Sequence, residues 1–145
     1  MISLTNEDDR ELILHHGLPA YLAAVSAAVG VGAESCMADF GSPASAYIAL
    51  DARLPHHPGQ DVALLWDELH GWSAAVESDS PKDLLVVAYL GGALVPEPQR
   101  LARFLAAVRR GDVPAVPVTP AFRDSEAVLL DRLRRYRRNS RRRPE

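Results

Sequence analysis

Five histidines are the residues of this 145-residue chain best suited to metal or proton chemistry, and they stand as His15-His16, His56-His57 and a single His70. Two imidazoles on a helix share one ion when spaced i, i+4, whereas adjacent residues project about 100° apart. Neither pair has the productive spacing, so surface histidines are expected and no metal site is. Cys36 is the only cysteine, which excludes an internal disulfide and a multi-thiolate centre and suits a buried, inert thiol. Asp39, Asp51, Asp61 and Asp67-Glu68 fall at the ends of predicted strands. Two carboxylates could converge there for acid and base work, though turns also collect solvated acids. Ser42, Ser45 and His70 lack the sequence setting of a nucleophile and its base, and no G-x-S-x-G elbow occurs.

Gly91-Gly92 follows an apolar strand and precedes a helix, as phosphate-binding loops do. The following Ala93-Leu-Val-Pro-Glu-Pro98 supplies two prolines without N–H donors and an acid, and no G-x-G-x-x-G or G-x-x-x-x-G-K pattern appears. A tight turn is the expected role. No catalytic residue and no cofactor follow from these patterns.

Charge gives a stronger signal. Eight of the sixteen basic residues are arginines between Arg132 and Arg143, opposed there only by Glu145, while residues 1–131 carry eighteen carboxylates against eight Lys or Arg. Fifteen of the sixteen are Arg, a bias a GC-rich genome could produce, but such a bias scatters residues and does not cluster them. Arg134, Arg135, Arg137, Arg138, Arg141, Arg142 and Arg143 surround Tyr136, and are expected to ring the last helix and contact phosphate or an acidic protein surface. Val128, Leu129 and Leu133 form a thin apolar stripe on the same helix, expected to need a partner.

The elements that must position these residues are read from periodicity. Thr5-x-x-Asp8 fits a capping box before a helix over 6–16, Gly17 interrupts it, and Pro19 starts a second helix over 19–29 on the stripe Leu18, Leu22, Val25 and Val29. From Glu34 to Leu90 the period falls to two, predicting strands near 34–40, 45–52, 61–67, 72–78 and 83–90. Pairing Trp66 with Trp72 sets Leu64 opposite Ala74 and Val62 opposite Val76, with Gly71 supplying the turn and Asp67 and Glu77 on the other face. Ser78–Lys82 is a second turn. Leu84–Leu90 is apolar on both faces, predicting a central strand covered on each side. Leu101, Phe104, Leu105 and Val108 mark a helix introduced by Pro96 and Pro98 and closed by Gly111. Pro114, Pro117 and Pro120 space a stiff linker, and Asp124-Ser125 caps a last helix.

Three stretches, GSPASAYIALDARLP over Gly41–Pro55, LLWDELHGW over Leu64–Trp72 and VVAYLGGALVP over Val86–Pro96, resemble an uncharacterised family of small actinobacterial proteins, a domain of unknown function. The resemblance spans roughly residues 18–111 and stops before the arginines. It implies a compact, stand-alone cytoplasmic domain with the tail as a variable addition, and brings no activity to transfer.

The resulting expectation is an α+β domain over 1–111, a Pro-rich linker over 112–123 and an Arg-rich helix and tail over 124–145. No run of eighteen apolar residues occurs and the N-terminus does not read as a secretory signal, so a cytoplasmic location without a membrane partner is expected. The first functional expectation is a non-enzymatic accessory or regulatory module that binds a protein partner or its own twin, forming a homo-oligomer through the last helix. The alternatives are a nucleic-acid-associated protein using the tail for non-specific phosphate contacts, and a small enzyme using the strand-end carboxylates.

Overall fold

Leu14, Leu18, Tyr21, Leu22 and Val25 repeat at the spacing of one helix face, and all five are buried. Their phase runs unbroken through Gly17 and Pro19, so the chain forms one helix, α1 (Ile2–Val29), where the sequence predicts two. Pro19 removes one i→i−4 hydrogen bond. Burial on both sides of it, about 1.5–3 kcal/mol for each large apolar side chain, outweighs that loss. The helix already runs from Ile2, so positions 5 and 8 lie inside it, and the side chains of the predicted capping box fall outside the described residues. The computed structural model describes residues 2–77, 83–114, 116–120 and 126–142, with side chains from Arg10 to Tyr136 within those ranges. The predicted turn at 78–82 and the predicted cap at Asp124-Ser125 lie outside the described residues.

After a short 3-10 turn (Ala33–Ser35), five strands form an antiparallel meander in sequence order: β1 (Cys36–Asp39), β2 (Ser45–Leu50), β3 (Val62–Asp67), β4 (Gly71–Glu77) and β5 (Leu84–Tyr89). The β3–β4 hairpin has the predicted register, with Trp66 opposite Trp72, Leu64 opposite Ala74 and Val62 opposite Val76. Gly71 takes φ +68°, the left-handed conformation the turn requires. β5 is an edge strand and not the central one predicted from its apolar run. A register shift between Ala74 and Ala75 leaves Val87 as the extra residue of a bulge, and Leu85 is 54% exposed.

Helix α2 (Pro98–Arg110) buries Leu101, Phe104, Leu105 and Val108, and ends at Gly111, whose φ of +80° makes the C-terminal cap. Helix α3 (Glu126–Arg142) packs on α1, which also holds α2. The helices and the inner sheet face enclose one core, in which Leu129 and Leu133 sit with Ile48, Leu64 and both tryptophans. The fold is α+β. Arg10–Val29 has the length and hydropathy of a membrane-crossing helix, but its apolar stripe is the centre of this core.

Polar groups inside the core are paired. Trp66 Nε1 donates to the Leu94 carbonyl oxygen at 2.8 Å, Trp72 Nε1 donates to the Tyr21 hydroxyl at 3.1 Å, and that hydroxyl donates to the Pro96 carbonyl oxygen at 2.6 Å. Gly91 and Gly92, at φ +73° and +81°, lead into the segment whose Leu94 and Pro96 carbonyls accept from Trp66 and Tyr21. The Gly-Gly pair thus bends the chain at left-handed dihedrals, and the segment that follows supplies hydrogen-bond acceptors to the core.

Candidate functional site

On α3 the sequence-predicted contact residues divide into two sets. Leu129 and Leu133 are 3% and 0% exposed, so α1 of the same chain supplies the cover their stripe needs, while Val128 stays at the surface, 38% exposed. Tyr136 is half-buried with its ring 4.8 Å from that of Tyr21, edge-on. Arg134 and Arg135 are exposed, and Arg135 pairs with Asp131 at 3.2 Å. Arg137, Arg138, Arg141 and Arg142 have helical backbone, and their side chains, like Arg143 as a whole, lie outside the described set. At 3.6 residues per turn, the helical positions 132, 134, 135, 137, 138, 141 and 142 spread over about 220° of the circumference, and positions 129, 133 and 136 fall in the remaining sector.

The second surface is the outer sheet face. Strict alternation sends Ile48, Leu64, Trp66, Trp72 and Val76 inward, so their neighbours form cross-strand rows on the other side. One row runs Met37, Tyr47, Leu65, Ser73, Tyr89 across all five strands. The neighbouring row is Ala49, Ala63, Ala75, Val86, all with small or medium side chains. Among the described residues no helix closes over these rows: Met37 is exposed, and Tyr47 and Leu65 are half-buried. Asp39, Asp67 and Glu77 border the groove, which has a volume of about 920 Å³. Burial, with Glu77's charge and hydrogen bond, raises the Tyr47 phenol above its usual pKa.

A family model, described as a family of unknown function, DUF6292, matches residues 21–107, more than half of the chain. The chain belongs to this family. The DUF6292 segment takes in the whole sheet, α2 as far as residue 107 and the Tyr21–Trp72 pair, and leaves out Gly17 and α3. No curated protein and no solved structure matches the chain.

Within the DUF6292 segment the strand-end acids are engaged locally. Asp39 accepts from the Gly41 N–H at 2.8 Å, and Asp67 accepts from the Leu69 and His70 N–H groups at 2.7 Å each, so both are turn acids. Asp61 pairs with Arg53 at 3.0 Å, and Asp51 is exposed. Asp39 and Asp67 do border one groove, where they contribute negative charge. Glu68 accepts from the Ala44 N–H at 2.9 Å and from Arg10 at 2.5 Å, and Arg10 also donates to Glu126. Partial desolvation works against the Arg10 cation, and its two acidic partners more than offset that, raising its pKa.

The histidines are separate. His15 stacks on Phe40 with ring centroids 4.2 Å apart, His70 faces Asp67 with Nδ1 3.1 Å from Oδ1, and His57 faces Gln60. Cys36 is half-buried, not fully buried as expected. Burial pushes its thiol pKa up, and Sγ lies 3.7 Å from the Leu22 carbonyl oxygen. Sequence reasoning missed the outer-face groove, although the alternation that assigned Asp67 and Glu77 to the outer side also places Tyr47 and Leu65 there.

Proposed function

We propose that this protein is a non-enzymatic accessory or regulatory module that binds another protein through its outer sheet face, from a cytoplasmic location. The observation that carries the reading is the cross-strand row Met37, Tyr47, Leu65, bordered by Asp39, Asp67 and Glu77. An apolar groove with carboxylates at its border suits a basic, amphipathic segment, anchored by apolar side chains and oriented by charge. The arginine-rich α3 of a second copy has that chemistry, which makes head-to-tail self-association one form of the binding.

A synthetic peptide of residues 126–145 is a suitable basic probe. It should bind the full chain with an affinity that falls as salt rises, and Leu65→Glu or Tyr47→Ala should weaken binding by about tenfold or more, the scale of one well-packed anchor. Binding that ignores both salt and these substitutions sinks the reading. Light scattering over a concentration series then tells whether the full chain associates with itself.

A second reading is favoured by the run of arginines along α3, which could track a nucleic-acid backbone. Retention on random-sequence DNA would then fall with salt by about 0.9 logarithmic units per neutralised phosphate. Deleting 124–145 is a poor test, because it strips Leu129 and Leu133 from the core. Replacing Arg134, Arg135, Arg137, Arg138, Arg141 and Arg142 with Gln keeps the packing and removes the charge. Unchanged DNA retention in that variant rejects the nucleic-acid reading.

A further inference from the structure

A second cleft opens beside β5, where the β2–β3 loop meets the end of α2, and it shares none of its lining with the outer-face groove. Its volume is about 560 Å³, within the range of small-molecule sites. The walls are aliphatic, including Leu54, Leu85, Val87, Val108, Val113 and Pro117. Its side chains with polar groups are His56 and His57, and among the described residues no carboxylate lines it.

His57 is held in one tautomeric arrangement. Gln60 Nε2 donates to the Glu77 carbonyl oxygen at 2.5 Å, which turns Gln60 Oε1 toward His57 Nδ1 at 2.9 Å. An amide oxygen can only accept, so Nδ1 carries the hydrogen and Nε2 is left as the nitrogen able to meet a ligand. The loop backbone is fixed as well, with the His57 N–H on the Leu54 carbonyl at 3.0 Å and the Gln60 N–H on the His57 carbonyl at 3.2 Å. An oriented imidazole at an aliphatic cleft is the arrangement expected of a binding site and not of a solvated loop histidine.

We propose that this cleft binds a small apolar carboxylic acid, with its hydrocarbon on the Leu and Val walls and its carboxyl group hydrogen-bonded to Nε2 of His57, the acid's own proton lying between oxygen and nitrogen. A cationic head group would meet two imidazoles and no acid. A purely apolar ligand would leave the oriented nitrogen unpaired.

Octanoate and 1-octanol, titrated separately into the full chain by calorimetry, test this. Octanoate should saturate one site, bind at least about tenfold more tightly than octanol, and shift the His57 imidazole resonances. His57→Leu should remove that advantage while octanol binding persists, and Val87→Trp should abolish both by filling the cleft. Equal affinity for the two probes, no binding of either, or full octanoate affinity in a folded His57→Leu overturns the proposal. The comparison of probes on the unsubstituted protein decides the matter even if a variant fails to fold.

Discussion

Gly17 of α1 lies against the main chain of Leu133 of α3: a Cβ placed on Gly17 would sit 2.7 Å from the Leu133 carbonyl oxygen and 3.0 Å from its carbonyl carbon. The neighbour is backbone, so it cannot rotate away. Absence of a side chain at one residue lets two helices meet closely enough to bury Leu133 completely.

Gly17→Ala should therefore destabilise the protein, although alanine is worth about 1 kcal/mol more than glycine within a helix. Overpacking costs about 1–3 kcal/mol, leaving a net loss of up to roughly 2 kcal/mol. Thermal denaturation checks it, and a raised midpoint would falsify the close contact.

Tyr21→Phe keeps the ring but removes the hydroxyl between Trp72 Nε1 and the Pro96 carbonyl. One buried donor and one buried acceptor lose their partner, and a cost of about 1–3 kcal/mol is expected. Urea denaturation should show a lower midpoint with an unchanged slope; a stability equal to that of the parent contradicts the buried network.

Stability should fall in alkali. Burial, opposed by the hydrogen bond from Trp72, holds the Tyr21 phenol far above its ordinary value of 10.0, and burial also raises Tyr47 and Tyr136. The folded state thus keeps protons that the unfolded chain releases once pH passes about 10. The contribution is complete below that pH and is lost above it, at up to ~1.4 kcal/mol per pH unit for one tyrosine. Melting near pH 9 and pH 11 should show a steeper loss in the parent than in Tyr21→Phe, and parallel losses would assign the effect elsewhere.

Arg10 ties α1 to the β3–β4 turn through Glu68 and to α3 through Glu126. Arg10→Leu should cost about 1–3 kcal/mol by stripping Glu68 of a charged hydrogen bond. Glu126 is mostly exposed, so Glu126→Gln should cost at most ~1 kcal/mol. Denaturation midpoints for the two variants give the comparison, and equal costs would show that the Glu68 contact contributes nothing special.

The elements that the sequence determined by itself are those whose patterns are short-range. Alternation from Val62 to Val76 aligned the two tryptophans in register, because a one-residue slip would turn every apolar side chain of the hairpin toward water. The stripe of α2 and the left-handed glycine that ends it were equally legible. Tertiary structure alone decided three matters that depend on partners distant in the chain. Gly17 reads locally as a break, and becomes a contact point only when Leu133, far along the sequence, is laid against it. Leu84–Tyr89 looks central because it is apolar on both faces, yet strand order is set by which edges remain unpaired, and no residue encodes that alone. Leu129 and Leu133 look like an interface until α1 covers them, since burial is a property of what packs against a side chain and not of the side chain itself.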